Sequence, residues 1–325
     1  MLSRLSTLKC DALSEAKHLL KRKKVFYMKT LTVFTPSYNR AHTLGRVYES
    51  LCKQTNKDFE WMVVDDGSTD GTRELVHGYM ADSDTSFAIK YIYKENGGLY
   101  TGYNVAYANI ETELCVCVDS DDYMPDDAVD KIVTFWKEHG DDRYAGLLGL
   151  DYNITTHELI GGKFPEGLKE VFFYDLTLKK LHTGDTKPVM RTELMKKVAP
   201  QVGFAGEKNF NPVYMMLQVC DDYPVLLLNE NLCNVEYQIG ADSMSQGIWR
   251  QYVNSARSFA KLRLLEMGLK HNTLRNKMRV CVHYISSCII SRDGDWLRKS
   301  PMKVMTLALA PVGLALFLLV KCKNK

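Results

Sequence analysis

Between Leu31 and Val118 the apolar residues keep two rhythms in turn. Short runs rich in Val, Ile, Phe and Trp alternate with longer stretches whose apolar positions return every three or four residues. The pattern predicts strands at 31–35, 60–64, 88–93 and 114–118, with helices near 42–53, 70–80 and 99–110 between them. Alternation on this scale reads as an α/β domain built on a doubly wound, mostly parallel sheet. Such sheets bind ligands beyond the carboxyl ends of their strands. In this chain polar and glycine-rich segments fall at those ends: Pro36-Ser37-Tyr38-Asn39, Asp65-Asp66-Gly67, Glu95-Asn96-Gly97-Gly98 and Asp119-Ser120-Asp121-Asp122.

After Asp122 the order is less regular. A helix is expected around 126–138, an apolar strand over Ala145–Leu150, a loop-rich stretch to about 187, and two helices within 249–290. Val304 to Val320 is an apolar run of 17 residues interrupted by Pro311 and Gly313, short for a membrane-spanning helix. Lys299 and Lys303 precede it and Lys321, Lys323 and Lys325 follow. That arrangement fits an interfacial or re-entrant anchor whose lysines snorkel to headgroups, with a buried core helix as the competing reading. At the other end Leu5, Leu8, Ala12, Ala16 and Leu19 lie at helical spacing ahead of Lys21-Arg22-Lys23-Lys24. Residues 1–27 thus read as a basic amphipathic helix, or as an extension upstream of a native start at Met28. The expected organisation is a basic tail at 1–29, two halves of one α/β domain at 30–125 and 126–245, and a helical, membrane-associating extension at 246–325.

Composition narrows the classes. With 46% hydrophobic and 25% charged residues in 325, the chain is globular rather than disordered. The net charge of +3 conceals a segregation: residues 1–29 carry eight Lys/Arg against two acids and residues 296–325 six against none, leaving −9 on the body between them. An acidic body argues against nucleic acid as a partner, and basic, apolar ends suit an anionic membrane surface. Nine scattered cysteines, with no zinc spacing and no disulfide framework, fit a reducing, cytoplasmic compartment. Cys115 and Cys117 share one face of a predicted strand and are expected to behave as small core hydrophobes.

The carboxylates carry the chemistry. Three acids within Asp119–Asp122 repel one another, and a divalent cation, Mn²⁺ or Mg²⁺, relieves that repulsion while keeping positions open for phosphate oxygens. A calcium loop starting at Asp119 would need Gly and Glu where this chain has Met124 and Asp130. Ser68 or Asp70 is expected to cap the following helix. Asp66, with no evident capping duty, is free to accept a hydrogen bond from a ring N–H. Gly97-Gly98 permits a ligand close to the backbone, and Tyr38 offers a ring for stacking on a base.

Taken together in this order and spacing, Pro36-x-Tyr38-Asn39, Val64-Asp65-Asp66-Gly67-Ser68-Thr69-Asp70, Glu95-Asn96-Gly97-Gly98 and Asp119-x-Asp121-Asp122 resemble the family 2 glycosyltransferases of the GT-A fold, a Rossmann-like α/β class. The resemblance covers residues 30–125 and, more loosely, the chain to about 245. It implies that Pro36, Tyr38, Asn39, Asp66, Gly97 and Gly98 bind a nucleoside-diphosphate sugar, UDP-linked, with Pro36 and Tyr38 at the uracil and Asp66 pairing with the base. It makes Asp121 the principal metal ligand and Asp119 a second contact near the ribose and metal, with Asp122 a neighbour. It further implies an acidic general base in a Gly-Glu-Asp-like sequence. The matching stretch is Phe204-Ala205-Gly206-Glu207-Lys208-Asn209-Phe210, where Lys208 replaces the second acid and Glu207 remains as the base. Asp221 and Asp222 are alternatives, read as a surface helix end. Lys187–Arg191 is either a strand near the donor phosphates or an exposed hairpin. The activity implied is inverting, metal-dependent hexosyl transfer to a lipid-linked or cell-surface glycan at the cytoplasmic face of the membrane. A metal-dependent nucleotidyltransferase and a membrane-tethered nucleotide-sugar binder without catalysis are the rival readings.

Overall fold

The computed structural model of the chain describes residues 29–236 and 248–324. Its first half alternates as the periodicity predicts: β1 (Leu31–Ser37), α1 (Leu44–Lys53), β2 (Phe59–Asp65), α2 (Thr72–Ala81), β3 (Ala88–Tyr93), α3 (Leu99–Asn109), β4 (Leu114–Cys117) and α4 (Ala128–His139). Every residue of β1 and of β2 is buried, because helices cover both faces of the sheet. Successive residues therefore feed two cores. Val33, Trp61, Val63 and Val116 pack with Val47, Val76 and Ile132 of the helices on one face. Phe34, Met62, Val64 and Cys115 pack with Ala106 and Tyr107 of α3 on the other.

The second half adds β5 (Gly146–Asn153), β6 (Glu158–Leu159), β7 (Glu170–Val171), α5 (Phe173–Leu178), β8 (Thr186–Arg191), α6 (Thr192–Val198), α7 (Val213–Cys220) and β9 (Val225–Val235). The described strands make one nine-stranded sheet in the order β3-β2-β1-β4-β8-β5-β9-β7, with β6 on β5. It is parallel from β3 to β4. β8 then runs antiparallel to both β4 and β5, and β9 is parallel to β5.

The reading of Lys187–Arg191 as an exposed hairpin is overturned, since β8 lies mid-sheet with Lys187, Val189 and Met190 buried. Its Pro188 sits beyond the last β4 pair, Val116 with Val189, where only β5 remains as a neighbour. That is a position a proline tolerates. Cys115 is buried in the second of the two cores, as expected, and Cys117, half-buried, packs against the same cluster with its Sγ 3.8 Å from Asp119 Oδ1.

The C-terminal helices are α8 (Ile248–Asn254), α9 (Ala256–Gly268), α10 (Leu274–Ser291), α11 (Trp296–Lys299), α12 (Lys303–Ala308) and α13 (Ala310–Lys323). Three helices thus occupy the stretch expected to hold two, the extra break falling at Ser255. Thr273 caps α10 by accepting from Asn276 N at 3.3 Å. The 304–320 apolar run is divided at Leu309 between α12 and α13. Gly313 lets α13 approach α10, since a Cβ there would stand 2.4 Å from Ile285 Cγ2. Among the described residues no helix is long and apolar enough to cross a membrane. The amphipathic helix read in residues 1–27 lies outside the described residues.

Candidate functional site

Strand register brings the motifs to one edge. Ser37 of β1 pairs with Asp65 of β2, Asp65 with Tyr93 of β3, and Phe34 of β1 with Cys117 of β4. The segments that follow therefore leave the sheet at its carboxyl edge. There Asp66 N donates to Ser37 O at 2.8 Å, and Lys94 N to Asp65 O at 2.9 Å.

Asp66 is the centre of this edge. Its Oδ1 accepts from Gly97 N at 2.9 Å and from Lys94 Nζ, and its Oδ2 from Gly98 N at 2.9 Å and Asn96 Nδ2 at 3.3 Å. Gly98 caps α3, so the carboxylate sits at the positive end of that helix. The sequence-based view that Asp66 has no evident capping duty is thereby corrected: it holds the Gly97-Gly98 turn in place. Oδ2 still has spare acceptor capacity, because only one of its donors is close. Gly98 is required by its φ of +93° and by the chain behind it, where a Cβ would come 2.1 Å from Lys208 O. Lys208 Nζ donates back to Asn96 Oδ1 at 2.5 Å, so the 204–210 loop is seated directly on the Asp66 turn.

The neighbouring polar residues divide their work. Asp65 accepts from Ser68 N at 2.7 Å and Tyr91 Oη at 2.5 Å. Asn39, at a φ of +53°, donates its N–H to Ser68 Oγ at 2.9 Å and accepts from Thr69 N at 2.8 Å. Asn39 thus locks the β1 and β2 turns together. Ser68 serves Asn39 rather than the helix, while Asp70 accepts from Thr72 N at 3.2 Å and from Ala41 N at 3.0 Å. Tyr38, half exposed, leaves its ring open to solvent beside Pro36, against which Gly102 of α3 packs.

Within the acidic cluster Asp119 is exposed, Asp121 half-buried and Asp122 buried. Burial pushes the Asp122 carboxyl up to about 7; Lys187 pulls it back and Asp119, Asp121 and Asp151 add to the rise. Lys187 is itself buried, its Nζ 3.9 Å from Asp151 Oδ1. Burial works against its charge, but Asp151, with Cys233, Asp119 and Asp122, outweighs that and keeps the ammonium well above its usual range. The sequence places Lys187 in a basic segment, as a strand near the donor phosphates or an exposed hairpin, and not as an internal cation. Its signal was its position two residues before Val189, on the same face of the strand. No group of three or more His, Cys, Asp or Glu among the described residues is arranged to hold a metal unaided. Two accessible carboxylates at a strand end still suit a cation that takes its remaining ligands from phosphate and water.

Glu207 is buried and engaged by the first turn of α9. Its Oε2 accepts from Ser258 N at 2.8 Å, and its Oε1 from Arg257 N at 3.1 Å and Arg257 Nε at 2.9 Å. Burial pushes the carboxyl up, yet the Ser258 and Arg257 donors outweigh it and hold it below the ordinary glutamate range. Asp221, at the end of α7, accepts from Lys270 N at 2.8 Å, and Asp222 pairs with Lys270. Both link α7 to the chain that follows α9.

A profile described as glycosyl transferase family 2 matches residues 32–173, the stretch that holds the Asp66 turn and the acidic cluster. Over 102 residues the chain is 35% identical to glycosyltransferase GlyA of Streptococcus pneumoniae, covering 31% of this chain and 14% of that one. It is 32% identical over 171 residues to the poly(ribitol-phosphate) beta-N-acetylglucosaminyltransferase TarS of Staphylococcus aureus, covering 52% of this chain and 29% of TarS. The matches thus span less than a third of those relatives. The crystal structure of S. aureus TarS 1–349 in complex with UDP-GlcNAc superposes with a TM-score of 0.56 at 18% identity, over 90% of this chain and 81% of that one. The fold is the GT-A fold, and residues 32–173 match the model of glycosyl transferase family 2.

Proposed function

We propose that the protein transfers a sugar from a nucleoside-diphosphate sugar, UDP-linked, to a hydroxyl of a lipid-linked or cell-surface glycan, with inversion at the anomeric carbon. The observation that carries this reading is the carboxyl edge of β1, β2, β3 and β4, where the Pro36–Asn39 turn, Asp66 with Gly97-Gly98, and Asp119 with Asp121 converge. TarS, in complex with UDP-GlcNAc, supports a uridine donor. In this reading the Tyr38 ring and Pro36 flank the base, and Asp66 Oδ2 accepts from the ring N–H with its spare lone pair. Asp121, with Asp119, would hold Mn²⁺ or Mg²⁺, which when bound supplies positive charge against the departing diphosphate. Lys187 keeps Asp122 and Asp151 in place behind that pair. Glu207, ionised and below its ordinary pKa, accepts the acceptor's proton late, as the hydroxyl acidifies on attack.

The engagement of Glu207 by α9 and Arg257, together with Lys208 beside it, favours one other reading: a nucleotide-sugar binder without transfer. Calorimetry with UDP, UDP-GlcNAc and GDP-linked sugars, with and without Mn²⁺, combined with labelled-sugar transfer and donor hydrolysis, decides between them. The transferase reading expects Mn²⁺-dependent UDP-sugar binding that Asp121→Asn weakens, together with turnover. Binding without transfer or hydrolysis supports the binder. Pyrophosphate release from a nucleoside triphosphate and a sugar phosphate would identify a nucleotidyltransferase and overturn both.

A further inference from the structure

Helix α13 is apolar on all sides, and only one side is covered. Gly313 and Val320 are buried, Gly313 against Ile285 of α10. Away from that seam Val312, Leu314, Leu318 and Leu319 are each about half exposed, and in α12 Val304 is 86% and Leu307 60% exposed. Leu314 and Leu318 are four apart and Val312 and Leu319 seven apart; the two rows flank the exposed Pro311 and Ala315, and together they span the side of the helix turned away from Gly313 and Val320. A helix apolar all round is ordinarily surrounded by apolar matter, and clustered large aliphatic side chains mark an interaction surface.

Charge identifies the partner. Residues 296–325 carry six Lys/Arg and no acid. Arg298 and Lys299 are paired with Asp295 and Asp293, but Lys303, Lys321 and Lys323 are exposed and make no ion pair among the described residues. Lys303 adjoins Val304 at one end of the face, and Lys321 and Lys323 close it at the other. Trp249, 40% exposed, lies at that second end, its carbonyl accepting from Asn324 Nδ2 at 3.2 Å. An amphipathic ring beside lysines is the composition of a lipid–water boundary. A second copy of the chain would set cation against cation, and so would residues 1–29, with eight Lys/Arg against two acids.

We propose that α12 and α13 lay this face on an anionic lipid bilayer, the aliphatic side chains entering the headgroup–acyl boundary while Lys303, Lys321 and Lys323 stay with the headgroups. The contact is peripheral, since neither helix is long enough to span. The test floats the full chain with vesicles of phosphatidylcholine alone and of phosphatidylcholine with one third phosphatidylglycerol. Binding is expected to the anionic vesicles and to weaken with salt. L314E/L318E should lower partitioning by at least about tenfold with an unchanged melting temperature, because both side chains are on the surface. K303Q/K321Q/K323Q should lower it by about a hundredfold, roughly fivefold per lysine. Absence of binding by the unmodified chain, or partitioning of either variant equal to that of the unmodified chain, overturns the proposal. So does a dimer that L314E/L318E dissociates in a chain that ignores vesicles.

Discussion

Glu207→Gln separates a structural duty from a chemical one at a single atom pair. The carboxylate receives two backbone N–H groups from the first turn of α9 and the Arg257 guanidinium. Glutamine keeps the shape but only one oxygen, so its amide must face at least one of those donors. Hydrogen bonds to a charged group contribute about 1.5–3 kcal/mol each, and a negative charge at a helix N-terminus about 0.3–2 kcal/mol. Because Arg257 is partly solvated and can turn to water, the expected loss is about 2 kcal/mol, or roughly 3 °C in melting temperature for a chain of this length. The pH dependence carries the same signature. The folded-state pKa of Glu207 is depressed, so its stabilisation is fully present above the unfolded value, about 4.3, and is lost as pH falls through the lower folded value. Urea titrations from pH 7 to pH 3 should show that acid-limb loss in the parent chain and a shallower one in the variant. Equal stability of the two chains across this range would refute the capping role. A collapse of turnover at unchanged stability and unchanged nucleotide affinity would leave Glu207 as the base alone.

Two further substitutions probe the frame behind the site. Gly98→Ala forces a Cβ into Lys208 O at a φ of +93°; it should cost about 2–4 kcal/mol in urea unfolding and weaken nucleotide binding by calorimetry, through displacement of the turn on Asp66. Lys187→Met leaves Asp151 and Asp122 buried without their cation and should destabilise by about 3–5 kcal/mol, with Lys187→Met/Asp151→Leu recovering much of the loss in the same titration.

The periodicity of residues 31–118 made the parallel half of the sheet legible, because strands buried on both faces are continuous apolar runs and the helices between them carry the three-to-four spacing. The binding edge followed from the same fact, since polar residues had only the strand ends left to occupy. What the sequence hid was partnership across distance. Nothing near Lys187 shows that β8 will be inserted between β4 and β5, because a strand's place in the sheet is set by pairings with residues 36 to 77 positions away. Glu207 likewise reads as a lone acid in a loop, and its donors are 50 residues further on. The break at Ser255 also escaped periodicity, since apolar residues continue through it and only the non-helical φ of −131° at Ser255 marks it.

The 204–210 loop joins what the sequence presents as separate parts. On one side Lys208 lies against the missing Cβ of Gly98 and holds Asn96, whose amide donates to Asp66 O at 2.8 Å. On the other Glu207 anchors α9, and Arg257 also donates to Ala205 O and lies 5.3 Å from the Phe204 ring. A path of hydrogen bonds therefore runs from the Asp66 turn to the C-terminal helices, which end in the exposed face of α13. Lysine at position 208 is part of that path: its ammonium reaches Asn96 as a donor, whereas a carboxylate there would meet the amide oxygen as acceptor against acceptor. Where the family resemblance leads one to expect an acid, Lys208 instead ties the Asp66 turn to the loop that anchors α9.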